Sequence, residues 1–336
     1  MIARFNLKFR ERAYKMNSKI KFIILVMVVM SAIGYFAVGN YFYNFALNAN
    51  DQKEFLVDNP HLAKSEAVMA DVAEAAKIAD HEFNEQHPPL PLSIISNDEL
   101  QLKLHGDVYG NGDDNNKWAI VVHGYTANAA SMTRWVRKFH EKGYNVLAPD
   151  LRGHGNSEGD YIGMGWHDRL DLLQWIDEII KVNPDTEIVL FGISMGGATV
   201  LKAAGEELPD NVKVIVEDCG YSSVSDVFIY QLDDLFGLPE FPVMRAANTV
   251  TKLRAGYDLY EASALKQVAK SKKPILFIHG DQDSFVPFQM VNELYEAASV
   301  EKEKLIIPGA GHGEAENVDP EIYWSTIWSF VGKYID

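Results

Sequence analysis

Gly192-Ile193-Ser194-Met195-Gly196 stands directly after the apolar run Glu187-Ile188-Val189-Leu190-Phe191. A strand entering G-x-S-x-G and leaving through a helix start at Gly197-Ala198-Thr199-Val200-Leu201 forms a tight turn. Small neighbours are needed on both sides of the serine, whose hydroxyl then stands out from the top of a sheet. Such a hydroxyl is a weak nucleophile until an adjacent base takes its proton. His312 is the expected base. Of the ten histidines, only it follows the last expected strand with glycine on both sides, in Gly311-His312-Gly313. His61, His81 and His87 precede the strand-rich region, and His105, His140 and His167 fall on strands or helices away from strand ends. His123, His154 and His279 lie near strand ends but belong to other motifs.

A third group must orient the imidazole and stabilise its cation. Asp281 and Asp283 both follow His279-Gly280. Asp283 is preferred because it opens the loop Asp283-Ser284-Phe285-Val286-Pro287 toward the next helix, whereas Asp281 suits a cap on the strand turn. The oxygen that becomes negative during attack on a carbonyl needs two backbone N–H donors. Met195, next after the serine, supplies one, and Tyr125 in His123-Gly124-Tyr125-Thr126 supplies the other. His123 itself is expected to be structural. In Asp150-Leu151-Arg152-Gly153-His154-Gly155-Asn156-Ser157 the glycines and the aspartate serve a sharp loop that braces the site.

These residues need a scaffold. Strands are expected at Leu100–Tyr109, Trp118–His123, Asn145–Ala148, Glu187–Phe191, Val212–Val216, Pro274–His279 and Lys304–Ile307. Helices Ser131–Lys142, Trp166–Val182, Phe288–Ala298 and Pro320–Ile335 alternate with them. Such alternation predicts an α/β fold with a mostly parallel sheet covered on both faces. Val224–Ala262 interrupts it with many apolar residues and with Pro239 and Pro242. We read this interval, about 224–262, as a helical cap above the serine; the alternative is a helical excursion on the sheet edge. No P-loop, dinucleotide fingerprint or H-E-x-x-H occurs. The loop Gly110 to Asn116 lacks calcium-loop spacing and reads as a turn.

The motifs His123-Gly124-Tyr125, Asp150-x-Arg152-Gly153-His154-Gly155-x-Ser157, Gly192-x-Ser194-x-Gly196, Gly280-x-x-Asp283-x-x-Val286-Pro287 and Gly311-His312 together resemble the α/β-hydrolase superfamily. The resemblance covers roughly residues 98–335. It points to the serine-hydrolase branch with carboxylesterases, monoacylglycerol lipases and certain aminopeptidases, and to membrane-anchored bacterial cell-surface hydrolases. It implies an eight-stranded, mostly parallel sheet with a cap after the sixth strand. No catalytic position departs from the family pattern. Ser194, Asp283 and His312 would then be catalytic, with Tyr125 and Met195 amides as the oxyanion hole, and neither metal nor organic cofactor required. A small ester is the expected substrate, an amide or peptide bond the alternative, and a non-catalytic surface binding protein the rival class. Dehalogenases and epoxide hydrolases of this fold carry Asp where Ser194 stands.

The chain has 336 residues, with 31 basic and 47 acidic. Phe22–Leu47 carries no charge and ends in aromatics, among them Tyr35, Phe36, Tyr41, Phe42 and Phe45. About 20 apolar residues cross a bilayer, and aromatics favour its interface. Residues 1–21 hold seven basic residues against Glu11 alone. That bias predicts a cytoplasmic N-terminus and an extracytoplasmic remainder. The competing reading is a signal peptide cleaved after Leu47-Asn48-Ala49, disfavoured by the long apolar run and the bulky aromatics before that site. Residues 22–50 are uncharged, so 24 basic and 46 acidic residues lie beyond the anchor, a net of −22 that repels nucleic acid. The expected organisation is a basic arm 1–21, an anchor 22–47, a connector 48–97 with a helix across Ser65–Glu85, and a catalytic domain 98–336. The single Cys219 excludes an internal disulfide and reads as a small buried residue.

Overall fold

The computed structural model describes residues 17–56, 59, 61–62, 76–112 and 115–335. Residues 1–16 of the expected basic arm, residues 65–75 of the expected connector helix, and Asp113 and Asp114 of the acidic loop lie outside the described residues.

The sheet contains β1 (Leu90–Ile95), β2 (Lys103–Tyr109), β3 (Lys117–Val122), β4 (Asn145–Pro149), β5 (Glu187–Ile193), β6 (Val212–Asp218), β7 (Ile275–Gly280) and β8 (Lys302–Ile307). Their spatial order is β1-β2-β4-β3-β5-β6-β7-β8. β1 pairs antiparallel with β2 and β2 antiparallel with β4; every other neighbour is parallel. The α/β expectation holds. One difference lies at the margin: the first strand precedes the expected Leu100–Tyr109 and starts inside the Pro-rich run Pro88-Pro89-Leu90-Pro91. Proline lacks an N–H for a ladder, yet an outermost strand tolerates it. Pro91 sits opposite Asp107 on that outer strand.

Period-two alternation sends strand side chains to two cores. Ile120, Val122, Ile188, Leu190 and Phe277 join one buried cluster, whereas Ala119, Val121, Val189, Phe191 and Leu276 join the other. The first cluster is covered by α3 (Asp168–Val182) through Leu172, Trp175 and Ile176, and by α4 (Met195–Ala203) through Ala198 and Leu201. The second is covered by α2 (Thr133–Glu141) through Val136 and Phe139, and by α10 (Pro320–Val331) through Tyr323, Ile327 and Phe330. Short helices α7 (Ala264–Val268) and α9 (Ala315–Val318), with α8 (Gln289–Ala297), complete the layers.

After β6 the chain leaves the sheet as α5 (Val224–Phe236) and α6 (Glu240–Arg254). The Ser223 hydroxyl accepts from the Asp226 N–H to start α5. Gly237, at φ 62°, stops it in the left-handed conformation that glycine adopts without strain.

The apolar N-terminal stretch forms a single 30-residue helix, α1 (Ser18–Leu47), long and apolar enough to cross a membrane. Residues 17–34 are exposed throughout, whereas Gly39, Tyr43 and Leu47 are buried. Those last turns pack alongside α6. A Cβ on Gly39 would meet the Ala246 carbonyl oxygen at 2.4 Å, so only glycine permits this approach. The Tyr35 hydroxyl donates to the Arg245 carbonyl at 2.7 Å, and the Arg254 guanidinium donates to Asn40 and Asn44 at 2.9 and 2.8 Å. The expected anchor and these turns are one helix, whose C-terminal end is built into the folded domain.

Candidate active site

Ser194 sits between β5 and α4 at φ 55°, ψ −115°, a conformation costly for a residue with a side chain. Its surroundings hold it there. The Ser194 N–H donates to the Asp218 carbonyl at 2.8 Å, and the Ser194 carbonyl accepts from the Ala198 N–H at 2.9 Å. The flanking glycines are required by contact: a Cβ on Gly192 would lie 2.3 Å from the Gly196 carbonyl oxygen, and one on Gly196 2.1 Å from that of Val122.

The three residues expected to cooperate come together. Ser194 Oγ lies 2.9 Å from His312 Nε2, and His312 Nδ1 lies 2.8 Å from Asp283 Oδ2. They come from the ends of β5, β7 and β8, adjacent or near-adjacent strands whose C-terminal ends share one rim. Asp283 Oδ1 accepts from the N–H groups of Phe285 and Val286 at 2.9 and 2.8 Å, which fixes the carboxylate plane. Asp281 points elsewhere, accepting from the Gly309 N–H at 2.7 Å. The Cβ that Gly124 lacks would lie 3.5 Å from Ser194 Cβ, so the loop carrying Tyr125 runs beside Ser194. Met195 opens α4, where the first amides have no intrahelical acceptor.

Burial would push the Asp283 carboxyl up, but the His312 and His279 imidazoles beside it hold it well below the usual range. Burial likewise disfavours a charge on His312; Asp283, Asp218 and Glu314 outweigh it and raise its pKa above 6.5. His279 Nε2 also reaches Asp283 Oδ2, at 3.2 Å, a contact that sequence reasoning missed. Its only signal was a histidine two residues before the acid-bearing turn.

Other motif residues are structural. His123 is fully buried, and burial pushes its pKa down to about 3, so it is neutral. Its Nδ1–H donates to the Gly124 carbonyl at 2.7 Å and its Nε2 accepts from the Leu151 N–H at 2.9 Å. Arg152 grips Asp171 through two bonds of 2.8 and 2.7 Å and reaches Asp98 at 2.7 Å. Asp150 accepts from the N–H groups of Ala129 and Asn156 at 2.7 and 2.8 Å. Among the described residues, Cys219, Asp283 and His312 bring potential metal-ligand atoms within 4.8 Å of one another. Burial raises the Cys219 thiol, keeping it protonated, and the other two are already hydrogen-bonded to each other.

Ser194 opens into a cavity of about 860 Å³, part of it open to solvent, lined almost wholly by apolar groups. Cap residues Val227, Phe228, Leu232 and Met244 form one side, while Phe285 and Val286 lie near the relay. Another side comes from Phe42, Phe45 and Ala46 of α1, with Phe55 just beyond. The aromatic cluster at the end of the apolar stretch, expected as an interfacial belt, is the one sequence sign of this wall.

Fold, elbow and strand-end relay together define an α/β hydrolase. The comparisons agree. Residues 113–219 match the family model described as serine aminopeptidase, S33. An uncharacterised protein, YqkD, of Bacillus subtilis is 30% identical over 218 residues, covering 65% of this chain and 72% of that protein. Uncharacterised YfhR of Escherichia coli K12 is 29% identical over 213 residues, covering 61% and 66%. The structure of a Pyrococcus furiosus esterase superposes with TM-score 0.59 at 26% identity, covering 75% of this chain and 93% of the esterase. An acylaminoacyl peptidase of Pyrococcus horikoshii superposes at 0.56 with 19% identity over 72% of this chain and 41% of the peptidase, a likeness of fold alone. The chain belongs to the α/β-hydrolase superfamily.

Proposed function

We propose that this chain is a serine hydrolase that cleaves carboxylic esters through an acyl-enzyme on Ser194. His312 Nε2 takes the hydroxyl proton as Ser194 Oγ attacks the carbonyl, and Asp283 holds the imidazole and balances its charge. The N–H groups of Tyr125 and Met195 stabilise the oxyanion. His312 then returns the proton to the leaving alkoxide, and the same base activates the water that frees the acid. The observation that carries this reading is the unbroken hydrogen-bonded line Ser194–His312–Asp283, with its serine in a strained turn facing an apolar cavity.

The apolar lining favours an acyl or aromatic acid, and the likeness to the Pyrococcus furiosus esterase supports an ester. Cleavage of amide or peptide bonds by the same residues is the second reading, favoured by the serine aminopeptidase description of the matching family model. We assign α1 as a single-pass anchor with the N-terminus cytoplasmic, supported by the charge bias around it, and the rest of the chain as extracytoplasmic. The catalytic domain in this reading follows the connector, with the cap at about 224–262.

The test uses the full chain in lipid nanodiscs. A fluorophosphonate probe is expected to label wild type and leave Ser194→Ala unlabelled, and short p-nitrophenyl esters should turn over faster than aminoacyl anilides. Equal labelling of both proteins refutes the serine mechanism, and faster anilide turnover selects the second reading.

A further inference from the structure

We propose that the outer end of α1 is a wall of the acyl site, and that the substrate is an uncharged long-chain ester drawn directly from the outer leaflet. This rests on the hydrolase and anchor readings above and names the substrate class of the same site.

Three observations carry it. First, Phe42, Phe45 and Ala46 of α1 line the same cavity as Ser194, so the helix that would cross the bilayer continues without a break into the site. Second, the distances match. A helix rises about 1.5 Å per residue and a bilayer's hydrocarbon is about 30 Å thick. Residues 17–34, exposed throughout, rise about 27 Å, close to that thickness, and α6 begins to pack on α1 at Tyr35. The cavity wall begins at Phe42, about two helical turns further on, and Phe45 follows within one more.

Third, the cap presents apolar side chains on the membrane side. Helix α6 runs parallel to α1, since Tyr35 meets Arg245, Gly39 meets Ala246 and Asn44 meets Arg254. The turn between α5 and α6 therefore sits nearer the bilayer than the cavity does. There Phe241 is 75% exposed and Leu238 36%. Large apolar groups exposed beside a spanning helix are stabilised by entering the interface rather than water. A chain leaving the leaflet along α1 would meet the exposed Phe36, Val38 and Tyr41 before Phe42 and Phe45. The acidic domain beyond the anchor, with its net charge of −22, disfavours anionic head groups and so selects uncharged esters.

The experiment uses the full chain in phosphatidylcholine nanodiscs with two fluorogenic probes, 4-methylumbelliferyl butyrate, presented from water, and the palmitate, resident in the bilayer. Ala46→Phe, which fills the α1 wall, is expected to lower the palmitate-to-butyrate rate ratio about tenfold or more. Should Ala46→Phe lose fluorophosphonate labelling and so its fold, Phe45→Ala, which widens the wall, must shift the ratio in the opposite sense. Leu238→Asp with Phe241→Asp should reduce palmitate turnover about tenfold and leave butyrate turnover within about twofold. A ratio unmoved by the wall variants, or equal losses on both probes in the double variant, overturns the proposal. Labelled wild type that cleaves butyrate but not palmitate overturns the lipid substrate alone. Wild type that neither labels nor cleaves removes the hydrolase reading and this proposal with it.

Discussion

The phenol of Tyr125 donates to the Ala46 carbonyl at 2.6 Å, tying the loop beside Ser194 to the last turn of α1. The main chain of one candidate oxyanion donor is thereby positioned by the apolar helix. Tyr125→Phe deletes one hydrogen bond worth about 1 kcal/mol. If that bond is realised in the transition state, kcat/KM on a short ester falls about fivefold. Steady-state kinetics beside a thermal melt separate a loosened loop from a loosened fold, since the melt should move little.

The contact of Gly39 with Ala246 predicts a larger structural cost. Any side chain at Gly39 collides with main-chain atoms, which cannot turn aside as a flexible side chain can. Gly39→Val should therefore push α1 off the cap and destabilise the full chain by about 1–3 kcal/mol. Denaturant unfolding in nanodiscs checks this. A melt unchanged from wild type would mean that helix and cap are not packed as described.

In the proposed mechanism His312 must be neutral to act as a base, so its raised pKa would set where activity appears. The rate is expected to climb with pH along a limb centred above 6.5, the ordinary imidazole value. Asp283→Asn removes the attraction that opposes burial. The limb should move to lower pH, and kcat should fall about 10⁴-fold because the imidazole loses its orienting acceptor. A pH–rate profile of the variant that kept the wild-type limb would mean that a different group titrates.

Glu217 gives a stability prediction of opposite character. Burial lifts its pKa from 4.5 to about 8, His279 and the Gly220 N–H only partly opposing this. The folded state thus binds more protons than the unfolded one between those values, so stability falls as pH rises through that window. Glu217→Gln keeps an acceptor for the Gly220 N–H, 2.9 Å from Glu217 Oε2 in the wild type, and removes the titration. Its Tm should exceed wild type by about 10 °C above pH 8 and match it below the unfolded pKa. Calorimetry at both ends reads the difference.

Residues that make chemistry through local backbone geometry were legible in the sequence. Gly192 and Gly196 announce the elbow because contact leaves no room for a side chain. Asp283 and His312 stand beside glycines at strand ends, where a turn can aim them. Pairings that depend on three-dimensional approach were not legible. His279 reaches Asp283 only because β7 ends where the loop doubles back, and a histidine before the turn is the single sign of it along the chain. Leu90–Ile95 was hidden by its prolines, since whether proline is tolerated depends on lying at the margin of the sheet. The α1 wall was hidden most deeply. An apolar aromatic run satisfies lipid and a protein cavity equally, and only the fold says that Phe42 and Phe45 face the second.

The two marginal strands carry a consequence for what happens when copies of this chain meet. β1 offers Pro91, which lacks an amide for further pairing. β8 lays Lys302, Glu303 and Lys304 along its length, with Lys333 paired to Glu303 at 2.5 Å. Neither border readily accepts a strand from a neighbouring copy. Molecules crowded side by side can therefore collide edge to edge without their sheets joining into a growing fibre.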